Sequence, residues 1–191
     1  MISEPKGTVF RRIARNGVVI SLRPMRDEDG PQVVELFRAL SHESIYNRFL
    51  TPIVRLDAKQ VRKLTHVDPG LEYAVAAWLS EAGCERMVGV GRYHAMSTEV
   101  AEIGIVVGDP WHRLGIGKML LRQLTESARA RGLLWFASTI DPCNLRLLRF
   151  VEACGFKGHL KYHDGLLHMR TAIATLFLQD SPDPPLNLPN I

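Results

Sequence analysis

The stretch Trp111-His112-Arg113-Leu114-Gly115-Ile116-Gly117-Lys118 joins two segments of different periodicity. Before it, Ala101 to Val107 is an apolar run that reads as a strand. After it, Ile116, Leu120, Leu124 and Ala128 recur every four residues, the mark of an amphipathic helix, which is expected to end near Gly132. A strand-to-helix turn aims several backbone N–H groups in one direction, and glycine lets a phosphate approach them because no Cβ intervenes. An anion held there gains about 0.3 to 2 kcal/mol from the helix dipole. Each charge-assisted hydrogen bond adds about 1.5 to 3 kcal/mol. Two common phosphate loops are excluded by the residues themselves. A Walker loop needs glycine at His112 and Ser or Thr at Met119, and a dinucleotide fingerprint needs a third small residue at Leu120.

Working outward, the segments Tyr73 to Leu79, Met87 to Tyr93 and Ala101 to Val107 read as a three-strand meander. Upstream, Val18 to Arg23 is a further strand. The Asp27-Glu28-Asp29 cluster then opens a helix with the apolar stripe Val33, Val34, Leu36, Phe37 and Leu40. Ser41 is expected to cap a second helix through Leu50, and a third, with Val61, Leu64 and Val67, follows Asp57. Downstream, Leu133 to Ile140 reads as a buried strand. Asp141 is the expected N-cap of the next helix, with Pro142 at its first position and Gly155 as its stop. Phe156 to His163 and Leu166 to Ile173 should close as a hairpin around Asp164-Gly165. The sum is an α/β fold with a mixed, mostly antiparallel central sheet flanked by helices.

With 191 residues, 46% hydrophobic and 23% charged, the chain has material for one core and one domain. Its 24 Lys and Arg against 20 Asp and Glu lack the clustered excess of a nucleic-acid binder, yet suit a small anionic ligand. Cys84, Cys143 and Cys154 form an odd set without C-x-x-C spacing, which points to a reducing compartment. No run approaches the roughly 18 apolar residues of a membrane span, and MISEPKGTVF is not ordered as a signal peptide. A cytoplasmic protein is therefore expected, with no membrane or nucleic-acid partner. No segment read as a helix carries two of its seven histidines at ligand spacing, so no metal is assigned. Residues 1–17, with Arg11, Arg12 and Arg15, read as a flexible, solvated arm. Residues 18–174 form the expected domain, and 180–191, with four prolines, an extended tail.

The loop and its surroundings resemble the GNAT superfamily of N-acetyltransferases, whose diphosphate loop reads Q/R-x-x-G-x-G/A. Gly115 and Gly117 stand at the glycine positions, while His112 replaces the usual Gln or Arg. Asp141 to Leu148 and Ala153-Cys154-Gly155-Phe156 are similar to the family's "N…GF" segment. The resemblance implies acetyl-CoA as co-substrate, with Arg113, Leu114, Gly115, Ile116, Gly117 and Lys118 around its diphosphate. It also implies that the backbone of Ile105, Val106 and Val107 pairs with pantetheine, and that Asn144 contacts the same arm. Leu22 to Arg26, Leu40 to Phe49, Val88 to Tyr93 and Ala101-Glu102-Ile103 look like the acetyltransferase domain of bacterial protein-lysine acetyltransferases.

That likeness implies an amine acceptor, with a protein lysine first, and places Glu102 as general base. A lysine with reference pKa near 10.4 is about 4.6 kcal/mol uphill of its neutral form at pH 7, so a proton acceptor is needed. Strand alternation alone does not say whether Glu102 faces the cleft or solvent. A backbone N–H near Val106 or Val107 would stabilise the oxyanion. Many relatives carry a tyrosine seven residues after the asparagine; here Val151 stands there, leaving the general acid unassigned, with Tyr162 as one substitute. A small amine acceptor and a non-catalytic acyl-CoA sensor are the alternative readings, and a homodimer is left open.

Overall fold

The computed structural model describes residues 9–15, 17–81 and 84–177. In chain order they form β1 (Phe10–Ile13), β2 (Val19–Pro24), α1 (Gly30–Arg38), α2 (His42–Phe49), α3 (Ala58–Thr65), β3 (Glu72–Glu81), β4 (Cys84–Ala95) and β5 (Val100–Val107). These are followed by α4 (Ile116–Ala130), β6 (Trp135–Ile140), α5 (Leu145–Ala153), β7 (Gly158–His163) and β8 (Leu166–Ala172). The strands make one sheet in the order β1-β2-β3-β4-β5-β6-β8-β7. Every neighbouring pair is antiparallel except β5 and β6. The expected mixed α/β architecture is thus present.

Each face of the sheet carries its own core. On one, α4 buries Ile116, Leu120, Leu124 and Ala128 against Val75, Val88, Tyr93 and Phe136, which is what the four-residue spacing demands of an amphipathic helix. On the other, Val33 and Leu36 of α1 meet Ala74, Ala76, Trp78 and Met87. The caps follow local chemistry. Ser41 accepts from Ser44 N to start α2, and Asp57 with Gln60 forms a reciprocal capping box on α3. Asp164 and Gly165 both have positive φ, 49° and 78°, as a two-residue hairpin turn requires.

Two expectations are corrected. Phe10–Ile13 pairs with β2 from Phe10↔Leu22 to Ile13↔Val19, so this part of the presumed arm is a sheet strand. The α5 helix begins at Leu145 and is capped by Asn144, whose Oδ1 accepts from Leu147 N at 3.0 Å. Asp141 instead closes a turn by accepting from Cys143 N at 2.7 Å; Asn144 holds a stronger cap position because it directly precedes the apolar run. Residues 1–8 of the arm and the tail at 180–191 lie outside the described residues.

One departure from regularity positions the site. The β4–β5 ladder runs unbroken from Ala95↔Ala101 to Gly89↔Val107. The parallel β5–β6 ladder has only Val100↔Trp135, Ala101↔Phe136 and Glu102↔Ala137. Beyond Glu102 the two strands part, and the edge of β5 is left open inside the molecule.

Candidate active site

The turn between β5 and α4 has the geometry an anion needs. Arg113 and Gly115 adopt positive φ, 63° and 89°, and Gly115 enters α4 with no side-chain cap. The N–H groups of the first helical turn, at Ile116 and Gly117, therefore face outward without an intrahelical partner. They open on a cleft of about 670 Å³. Arg12, Arg15, Arg48, Arg113, Lys118, Arg122, Arg146 and Arg149 line this cleft, and Glu126 is the one carboxylate among its lining residues. Arg12 and Arg15 belong to the segment read from sequence as a solvated arm. Pairing of β1 with β2, and a hydrogen bond from Arg15 N to Leu114 O of the loop at 3.1 Å, bring them to the cleft. Trp111 packs beside the loop against the α4-side core, as expected.

His112, in place of the family's Gln or Arg, braces the loop. Its Nε2 lies 2.7 Å from the Val107 carbonyl, and Arg146 of α5 donates to its Nδ1 at 2.9 Å. Arg146 can only donate, so Nδ1 is the acceptor in that contact. These contacts also fix the polarity of β5. Gly108 N donates to Val88 O of β4, whereas the Val107 carbonyl points away to His112. Because strand residues alternate between edges, Ile103, Ile105 and Val107 direct their peptide groups to the open edge. Val106 turns towards β4, with its carbonyl close to Gly89. Of the three residues expected to pair with a ligand, Ile105 and Val107 thus face the open edge and Val106 faces β4. Asn144 lines the cleft, with its oxygen engaged in the α5 cap and its amide N–H groups remaining as donors.

Where β5 and β6 part, a chamber of about 280 Å³ passes through the sheet. It abuts the basic cleft along Asn47, Arg48, Ile105, Leu147 and Phe150, which line both. Glu102 stands at its mouth, exposed, on the last paired rung before the strands separate. The inner end is apolar, lined by Phe136, Ile140, Phe150, Met169 and Leu176. Two side chains there, which nothing in the sequence singled out, carry hydroxyls without hydrogen-bond partners: Ser138 and Thr171. Val151 lines the chamber too. Tyr162 does not; it is 66% exposed on β7. Of the cysteines, Cys154 is buried beside the basic cleft, and Cys84 and Cys143 are exposed.

The α2 helix roofs this region through one carboxylate. Asp109, just past β5, accepts from Ser41 N at 2.9 Å, Ser41 Oγ at 2.7 Å and Ser44 Oγ at 2.9 Å. Burial alone would raise its pKa, but these three hydrogen bonds and nearby His112 outweigh it and hold the carboxyl below its ordinary value. At the other end of α2, Arg48 is half-buried. Burial, then the neighbouring Arg92, lower its pKa against the opposing pull of Glu102.

A cationic cleft at an uncapped helix start, continuous with an open strand edge and a through-sheet chamber, defines an acyl-CoA-binding acetyltransferase fold. The chain belongs to the acetyltransferase (GNAT) family, whose model matches residues 35–156. It is 28% identical over 144 residues to an acetyltransferase of Pseudomonas aeruginosa, covering 75% of this chain and 77% of that one. Among solved structures it resembles the GNAT domain of S. lividans PAT, with TM-score 0.80 and 26% identity over 89% of this chain and 99% of that one. The N-acetyltransferase PaiA of Thermoplasma acidophilum, solved with coenzyme A, shares the fold at TM-score 0.62 and 14% identity, over 80% of this chain and 98% of that one. Among the described residues no helix is long and apolar enough to cross a membrane.

Proposed function

We propose that this protein transfers the acetyl group of acetyl-CoA directly to a primary amine, with a protein lysine as the first-choice acceptor and Glu102 as general base. The observation that carries the reading is the position of Glu102. Its carboxylate stands where β5 and β6 separate, at the mouth of the chamber that abuts the cationic cleft. The loop N–H groups at Ile116 and Gly117, with Arg113 and Lys118, hold the diphosphate, and Ile105 and Val107 offer the open edge to pantetheine. The acceptor ammonium loses one proton to Glu102 directly or through water, its neutral nitrogen forms the new C–N bond at the thioester carbonyl, and the second proton of the adduct nitrogen passes to solvent. An open-edge N–H of β5 supports the oxyanion. The C–S bond then breaks, and the thiolate leaves with the electron pair and takes a proton from solvent. The lysine assignment is supported by the resemblance of Leu40 to Phe49 and Ala101-Glu102-Ile103 to bacterial protein-lysine acetyltransferases, and a reducing, cytoplasmic setting by three free cysteines.

Thiol release from acetyl-CoA across peptides and small amines tests this. Glu102→Gln should lower kcat by about 10²-fold or more while coenzyme A affinity stays unchanged. Normal turnover by that variant removes Glu102 as the base. Binding of acetyl-CoA with no thiol release for any amine would instead mark a sensor.

A further inference from the structure

Arg48 is a cation of the chamber that the chemistry above leaves unused. Its guanidinium lies over Gly104 of β5, where an added Cβ would stand 2.7 Å from Cζ and 2.8 Å from both Nη1 and Nη2. Near-equal distances to the three atoms mean that the planar group shows its face to the strand. Its N–H edges consequently run along the slot. Among the described residues none accepts a hydrogen bond from it, and its aromatic neighbour is the Phe49 ring, 5.2 Å from Cζ. Surrounding charges are already matched. Arg92, paired with Gly104 across β4, meets Glu72 at 2.9 Å and the Lys63 carbonyl at 2.7 Å. His94, paired with Glu102, meets Glu72 at 3.2 Å.

Two opposite charges without ion-pair partners among the described residues thus stand on one face of β5. Arg48 covers Gly104, and Glu102 lies one same-face step away, about 6.5 Å along a strand. A half-buried guanidinium without a protein acceptor is available to a ligand, and its fork matches a carboxylate. We propose that Arg48 selects the acceptor, and that this acceptor carries a carboxylate close to its reacting nitrogen, the amine lying towards Glu102 and the carboxylate towards Arg48. A free amino acid and a lysine with an acidic neighbour share that chemistry. A polyamine does not, because its second cation would meet Arg48. The inference rests on the acetyl-transfer reading and deepens it.

The experiment measures thiol release for matched acceptors: amino acids against their carboxamides, and lysine peptides with Glu against Gln flanks, with spermidine as the cationic comparison. The carboxylate member of at least one series should show kcat/KM about tenfold or more above its amide, and the series that does so names the source. Arg48→Gln should bring that ratio near one, and Arg48→Lys should restore part of it. Gly104→Ala should act like Arg48→Gln, since the Cβ displaces the guanidinium, the far end of a flexible side chain. A thermal unfolding transition like the wild type's reports that each variant is folded, and the wild-type ratio stands without any variant. Equal turnover within both pairs, spermidine as the preferred acceptor, or a ratio unchanged in Arg48→Gln overturns the proposal. Absence of thiol release from every amine despite acetyl-CoA binding is a different result; it fells the acetyl-transfer reading and this one with it.

Discussion

Gly115 and Gly117 are two residues apart and do different work. Gly115 sits at φ 89° with nothing within 4 Å of a Cβ built upon it, so its requirement is conformational. An L side chain there strains the backbone and turns the first N–H groups of α4 away from the cleft. Gly117 lies inside α4, where a Cβ would make only ordinary contact, 3.6 Å from Phe150. The proposed diphosphate site needs that Cα bare so that the ligand can approach. Gly115→Ala should therefore lose about 1 kcal/mol of stability together with coenzyme A affinity. Gly117→Ala should gain about 0.5 to 1 kcal/mol from helix propensity and still bind coenzyme A more weakly. Thermal unfolding and calorimetric titration separate the two. A Gly117→Ala protein that binds normally would show that no phosphate comes near that Cα.

The α2 helix reaches the chamber because both of its ends are held, its start by the Asp109 carboxylate and its end by Arg48 against β5. Asp109 has a lowered pKa in the folded chain. Its stabilising contribution is therefore complete above the unfolded-state value, about pH 4, and fades as pH falls through the folded-state value below that. Melting curves from pH 6 down to 3 should show the wild type losing its advantage over Asp109→Asn in that acidic window. A constant difference would mean that the strut does not titrate. Such long-range ties are what the sequence conceals: Asp109 and Ser41 are 68 positions apart, and no local pattern joins them. The elements themselves were legible, because amphipathic spacing in α4, the Ser41 and Asp57 caps and the Asp164-Gly165 turn depend on neighbours along the chain. The start of α5 was misread because Asp141 and Asn144 are both good caps, and packing chose the second. Glu102 and the glycine loop were visible as motifs. Arg48, Ser138 and Thr171 were not, since the parting of β5 from β6 is tertiary.

At the scale of the whole molecule, charge is distributed unevenly. The sequence carries a formal net charge of +4, yet eight cationic side chains and a single carboxylate line the cleft beside the loop. Coenzyme A brings about four negative charges at neutral pH, two on the diphosphate and roughly two on the 3′-phosphate. Attraction between them acts through water over the Debye length, so salt must weaken it. The dissociation constant should rise several-fold between about 0.05 and 0.5 M salt, while an acetyl-pantetheine thioester lacking phosphates should show almost no dependence. Arg12 and Arg15 make this a test of the fold as well as of the ligand. They reach the cleft only because β1 closes the sheet edge beside β2, 100 residues before the loop they face. Replacing both with serine should leave the acceptor ratio untouched, weaken coenzyme A roughly a few-fold, as solvent-exposed ion contacts do, and flatten the salt dependence. An unaltered salt slope in that double variant would return these arginines to the role of solvated charges and leave the loop and α5 cations to hold the phosphates alone.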